Sequence, residues 1–162
     1  MSGPLASQVA TAIATAIGAT VRKVNGYYFD IPAGQVLDVK KDLEADGGPF
    51  PCVSIYSTGF ENRQQGDEAS FSQVLQTIHF HIDGAVMIQA DWETETWNLL
   101  ADLEKIVTKD ISQGVGAKNT YVTGGTKWGW SASGAAFVTL SFDVLMRHAV
   151  NDPSAEYQTT YN

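Results

Sequence analysis

From Ala136 to Met146 every second residue is apolar: Ala136, Val138, Leu140, Phe142, Val144 and Met146. The positions between and just beyond them include Thr139, Ser141, Asp143 and Arg147. A period of two over that length predicts a long strand with one face on a core and the other near water. Its β-branched and aromatic content agrees. Asp152-Pro153 is expected to stop it, because proline has no N–H for the ladder and restricts the residue before it. A polar C-terminal tail, about 149–162, would follow.

The same pattern reading divides the rest of the chain. Leu5, Val9, Ala12, Ile13, Ala16 and Ile17 recur at helical spacing behind Ser2-Gly3-Pro4, with Gly18 as the expected stop. No charge falls between Leu5 and Ile17, a hint that this helix is covered on both sides. Asn25-Gly26 and Ile31-Pro32-Ala33-Gly34 read as breaks. Gln35 to Leu43 reads as a short edge strand, and Pro51 to Ser57 as a short strand with Val53 and Ile55 inward. Gly59 to Ser70 is polar and mixed in charge, and reads as an exposed excursion between strands.

Alternation returns from Phe71 to Met87, with Val74, Ile78, Phe80 and Ile82 on one face. Leu75, Thr77, His79, His81 and Asp83 fall on the other, and Gly84 marks a bend or bulge. Asp91 is a good N-cap for a second helix whose stripe is Trp92, Thr96, Leu99, Leu100, Leu103, Ile106 and Val107. Glu93 and Glu95 in its first turn suit the helix dipole, and Gly114 and Gly116 end the pattern. Asn119 to Thr123 is strand-like, Gly124-Gly125-Thr126 reads as a turn, and Lys127 to Gly134 leads into the last strand. Strands cluster rather than alternate with helices. That order predicts one α+β domain, residues 1–162, with a mostly antiparallel or mixed sheet and two helices on one face.

Composition narrows the function. A chain of 162 residues can bury roughly 68–70% of its unfolded surface, so it needs no disulfide or metal to fold. The single cysteine, Cys52, has no internal partner. No basic n-region and no apolar run of membrane-spanning length is visible, which predicts a protein without signal peptide or membrane contact. The formal net charge of −8 argues against gripping a nucleic-acid backbone, though not against a surface past which nucleic acid slides.

Candidate chemistry is sparse. His79-Phe80-His81-Ile82-Asp83 would project two imidazoles and a carboxylate from one strand face, a donor set that zinc or iron accepts. Three ligands in line span about 13 Å at roughly 3.3 Å per residue, too far for His79 and Asp83 to share one ion; a polar outer face is the plainer reading. Gly124-Gly125-Thr126-Lys127 lacks the leading glycine and following helix of a phosphate loop. Cys52 has no histidine near it in sequence, and no serine sits in a Gly-x-Ser-x-Gly setting. Trp128 and Trp130, flanked by glycines, fit either a contact surface or a lid on the core. The expectation is a protein that is not an enzyme and takes no cofactor.

The amphipathic stretch Trp97-Asn98-Leu99-Leu100-Ala101-Asp102-Leu103-Glu104-Lys105-Ile106-Val107, a Gly-rich loop, the long alternating strand and Asn151-Asp152-Pro153 follow one another in a familiar order. That order resembles the C-terminal half of the tail terminator proteins of long-tailed bacteriophages, the minor tail protein U type of phage lambda. Gly26-Tyr27-Tyr28-Phe29-Asp30 and the strand from Pro49 to Ser57 sit in the corresponding N-terminal order. The chain departs from the pattern in its tryptophan-bearing loop and in Gly59 to Ser70. The resemblance implies a virion protein, assembled in the host cytoplasm, that forms a six-membered ring on the head-proximal end of the tail tube. Its implied partners are further copies of itself, the tail tube protein, the head–neck connector, a sheath protein if the tail contracts, and DNA only in passage through the lumen. Arg63, Asp67, Glu68, Lys127, Trp128, Trp130 and Asp152 are the candidate subunit or tube contacts. The alternatives are a neck or head-closure protein of the same virion, a small metal-dependent enzyme built on His79 and His81, and a general ligand-binding domain.

Overall fold

The computed structural model describes residues 4–44, 48–65, 73–88, 91–113, 115–129, 134–149 and 152–156, with the backbone alone at 63–65, 73, 128–129, 149 and 152–156. In chain order the elements are α1 (Leu5–Gly18), β1 (Ala19–Thr20), β2 (Ile31–Pro32), β3 (Val36–Leu37), β4 (Cys52–Gln65) and β5 (Gln73–Met87). They continue with α2 (Trp92–Lys109), β6 (Asn119–Gly129), β7 (Ala135–Ala149) and β8 (Asp152–Glu156). The main sheet runs β3-β4-β5-β7-β6, with β8 also on β7, and β1 and β2 form a separate small ribbon. β3 is parallel to β4 and the remaining pairs are antiparallel. This is the α+β, mixed-sheet architecture that the pattern predicts.

Both helices lie on one face. The core joins Leu5, Val9, Ile13 and Ile17 of α1 and Leu99, Leu103 and Val107 of α2 to Ile78, Phe80 and Ile82 of β5 and Val138, Leu140, Phe142, Val144 and Met146 of β7. Phe80 and Phe142 stack at its centre with ring centroids 5.2 Å apart. Gly84 does not bend the strand. It stays in register with Val53 and Val138, and a Cβ there would meet Leu99 Cδ2 at 2.9 Å and Val138 Cγ2 at 3.2 Å. The missing side chain lets α2 approach the sheet closely. The outward side of α1 exposes Ser7, Thr11, Thr15 and Ala16, and Thr11 Oγ1 donates to Asp38 Oδ2 at 2.9 Å.

Several boundaries differ from the sequence reading, and the expected edge strand from Gln35 to Leu43 is confined to Val36–Leu37. The Pro51–Ser57 strand continues to Gln65, pairing with β5 as far as Gln65 opposite Gln73, so the first half of the expected excursion is sheet. It escaped notice because Asn62 and Gln64 are polar on the side that Val74 and Ile78 share, where the hairpin extends beyond the helices. Gly124-Gly125-Thr126 is likewise not a turn. β6 passes through it with a bulge between Val122 and Gly124, and a Cβ on Gly125 would meet Leu100 at 2.9 Å. Finally, Asp152-Pro153 does not end the sheet. The chain returns as β8, with Asp152 opposite Ala149 and Glu156 opposite His148; proline is tolerated near the start of such a short marginal strand. The tail from about 149 is therefore partly strand. α2 also ends at Lys109, ahead of the glycines, where Gln113 Nε2 donates to the carbonyl of Val107 at 2.8 Å.

The second helix starts as predicted, with Asp91 accepting from the Thr94 N–H at 3.2 Å. Thr96, buried in its apolar stripe, is satisfied by donating to the carbonyls of Trp92 and Glu93. Among the described residues no helix is long and apolar enough to cross a membrane.

Candidate functional site

Two regions hold the residues singled out above: the sheet face away from the helices, and the two outer edges of the sheet.

On the open face, cross-strand register places His79 opposite Asp143, His81 opposite Ser141 and Asp83 opposite Thr139. His79 Nδ1 lies 2.7 Å from Asp143 Oδ1. Asp83 is held from both sides: Tyr56 Oη donates to Oδ2 at 2.8 Å and Thr139 Oγ1 donates to Oδ1 at 2.5 Å. Burial, the Asp83 hydrogen bond and the Asp83 charge together push the Tyr56 phenol up to about 12. The His81 ring meets Tyr56 edge-on at 5.8 Å, and Lys40 Nζ stands 5.2 Å from the Tyr56 ring centre. The His-x-His-x-Asp run thus shares a face, as the period of two requires, but each member is engaged across the sheet rather than with the others. Among the described residues no group of three His, Cys, Asp or Glu is placed to hold a metal ion. What the arrangement does chemically is tie β4, β5 and β7 together by polar pairs that fix their register.

One end of this face is apolar. Leu43, Cys52, Ala85, Ala135 and Phe137 form a second small cluster with Phe50 against it. The segment over it is pinned by Ser54, whose hydroxyl donates to the Val39 carbonyl at 2.6 Å and accepts from the Lys41 N–H at 3.0 Å. Burial raises the Cys52 thiol above its ordinary value, the behaviour of a structural thiol.

At the β6 edge, Lys127 is in register with Val138, on the helix side. Its ammonium stands 4.8 Å from the Trp97 ring centre and 5.8 Å from that of Trp92, with Glu93 Oε1 at 3.8 Å. Trp97 is 54% exposed. No family model and no curated protein matches this chain.

The predicted contact residues separate into places. Lys127 and Trp128 lie on β6, with Trp128 opposite Phe137. Arg63 lies on β4 opposite Leu75, at the other side of the sheet. Asp152 opens β8. Asp67, Glu68 and Trp130 fall outside the described residues. Three residues escaped the sequence reading. Trp97 falls off the buried stripe of α2, a signal that was available. Phe60, 62% exposed on β4, was hidden by reading its segment as a loop. Asp102 is only 1% exposed and accepts the backbone N–H groups of Tyr28 and Phe29 at 2.9 and 3.0 Å. It fastens the segment after α1 to α2, a contact between positions too far apart in sequence for any local pattern to reveal.

Proposed function

We propose that this chain is a structural subunit of a long-tailed phage particle, forming a ring that caps the head-proximal end of the tail tube. The reading rests on one observation above the others. The helix, loop, long strand and Asn-Asp-Pro order that resembles the tail terminator proteins corresponds here to α2, its loop, β6 and β7, packed as one contiguous block with Asp152 entering β8. The open face, built of register-fixing pairs, is compatible with a scaffold role, and the net charge of −8 suits a lumen through which DNA passes without adhering. In this role the ring stops tube polymerisation on one side and offers a platform for the head–neck connector on the other.

The test is localisation and length. Electron microscopy of particles carrying a tagged chain is expected to place the tag at the head-proximal tail end. Particles assembled without the chain are expected to carry tubes of uncontrolled length, since the stop is missing. A tag found on isolated heads with tube length unchanged transfers the chain to the neck, and a tag absent from the particle removes the virion reading altogether.

A further inference from the structure

Among the described residues the main sheet has an outer edge on each side. β6 is last in the strand order, and no described strand lies outside it. At the opposite side β3 pairs only with Val53 and Ser54 of β4, with Lys40 beyond it beside the Tyr56 ring, and no described strand pairs with the outer side of β4 from Ile55 to Gln65. Edges of that length are ordinarily blunted by lysines, prolines or covering elements. Neither segment contains a proline, and the only charged residue of β6 is Lys127, which lies among the α2 tryptophans. Each edge carries one bulge, at Ser57/Gly59 and at Val122/Gly124, and the strand is regular beyond it.

We propose that β6 of one copy pairs with β4 of a second copy, from about Val122 to Gly129 on one side and within Ile55 to Gln65 on the other, so that one sheet continues through successive subunits. The direction is right. β4 and β7 run the same way, β5 and β6 the opposite way, so a sheet continued from β6 into the next β4 is antiparallel at the junction, like its main internal pairs. The side chains also match. Phe60 is in register with the buried Ile78, which puts it on the helix side of the sheet, while Trp97 and Lys127 stand on that same side at the β6 edge. Within one sheet Phe60 is level with Thr120, through Ile78 and Val144, and Lys127 is level with Val53, through Val138 and Gly84. The junction is therefore staggered along the strands, so that Phe60 of one copy faces Lys127 of the next and lies beside its exposed Trp97. A stable contact needs on the order of 800 Å² per partner, more than strand edges alone supply, and these two aromatics are the apolar surface that adds to it. Because two different edges meet, the contact is heterologous, and its repetition generates a ring or an open polymer. The proposal rests on the ring reading above and assigns its contact.

Gly59 and Gly124 make the test clean, because a Cβ at either position meets nothing within 4 Å. Gly59→Lys and Gly124→Lys each place a charge at one edge of an otherwise intact subunit. By sedimentation, the unaltered chain is expected to form a multi-subunit species and each variant to weaken that assembly by about tenfold or more, with unchanged circular dichroism. An equimolar mixture of the two is expected to give a two-chain species and nothing larger, since Gly124→Lys retains a good β4 edge and Gly59→Lys a good β6 edge. Phe60→Glu, at an exposed side chain, repeats the β4-edge result should a glycine variant fold poorly. Either lysine variant assembling like the unaltered chain, a mixture that stays as single chains, or an unaltered chain that is single at every concentration overturns the proposal. Assemblies that behave as expected but ignore isolated tail tubes sink the capping role alone; rings on tubes that tolerate both lysines sink the edge assignment alone.

Discussion

The two faces of the main sheet are stabilised by different means, although they alternate residue by residue along the same strands. Phe142 and Asp143 are neighbours in sequence. The first is fully buried and stacks on Phe80 beneath both helices; the second pairs with His79 on the open face. The helix side gains from removing apolar surface from water and from close packing. Away from the small apolar cluster around Phe137, the open side gains little from burial, and its polar pairs specify which residue faces which across β4, β5 and β7. One face supplies stability and the other register.

The largest effect expected from that division comes from Phe142→Ala, which should cost about 3–5 kcal/mol in chemical denaturation because a cavity opens under the helices. Asp143→Ala, one residue away, should cost less than about 1 kcal/mol, the scale of a cross-strand polar pair. Comparable losses from the two would break the comparison outright.

Asp102 sharpens it, being an acid on the stabilising side. Asp102→Ala leaves the Tyr28 and Phe29 N–H groups without their acceptor and should cost about 1–3 kcal/mol. Asp102→Asn can keep one oxygen where Oδ2 now accepts both, so its loss should be smaller. Burial raises the Asp102 carboxyl above its ordinary value of 3.8, against the opposing pull of the two N–H groups and Lys105. An acid raised in the folded state binds more protons there than when unfolded. Its contribution is therefore fully present below the unfolded carboxylate value and declines as pH rises through the folded one. Urea melts of the unaltered chain against Asp102→Asn should show that decline in the difference between them; an opposite slope would mean that the backbone donors outweigh burial.

Gly84→Val sets the two glycine environments against each other. Beneath α2 the added side chain must displace Leu99 and Val138, an overpacking that costs about 1–3 kcal/mol. Gly124→Ala on β6, where a Cβ meets nothing within 4 Å, should change stability by less than about 0.5 kcal/mol. Equal melting shifts would contradict the close approach of α2 at Gly84.

This division also explains what was legible in the sequence. β5, β7 and α2 were readable because a buried face imposes a period, and Ile78, Phe80, Val138 and Leu140 record it. Strands lose that signature where the helices no longer cover them, so Glu61-Asn62-Arg63 looked like loop, and they lose it also where α2 packs so closely that glycine replaces a side chain, so Gly124-Gly125 looked like a turn. Glycine is ambiguous in the same way: Gly125 is required by Leu100 rather than by a bend. The candidate contacts were legible as exposed residue types but not as places, since strand order alone puts Arg63 and Lys127 at opposite sides of the sheet. The β4 and β6 edges became visible only with that order.

The smallest expected effect isolates the open face most directly. Tyr56 titrates at about 12 against an ordinary 10.0, first through burial and then through its hydrogen bond to Asp83 and the Asp83 charge. Asp83→Asn removes the charge while leaving an oxygen for Tyr56 or Thr139 to reach. The phenolate absorbance assigned to Tyr56, by difference from Tyr56→Phe, should then shift to lower pH yet stay above the ordinary value, because burial is the larger cause. The raised phenol also has a consequence for stability: the folded state holds the proton longer than the unfolded chain, so stability falls as pH climbs from about 10 toward about 12. That fall should be shallower in Asp83→Asn. A midpoint that does not move would mean that Asp83 only positions the ring; one that returns fully to the ordinary value would mean that the polar pair, not burial, governs this face.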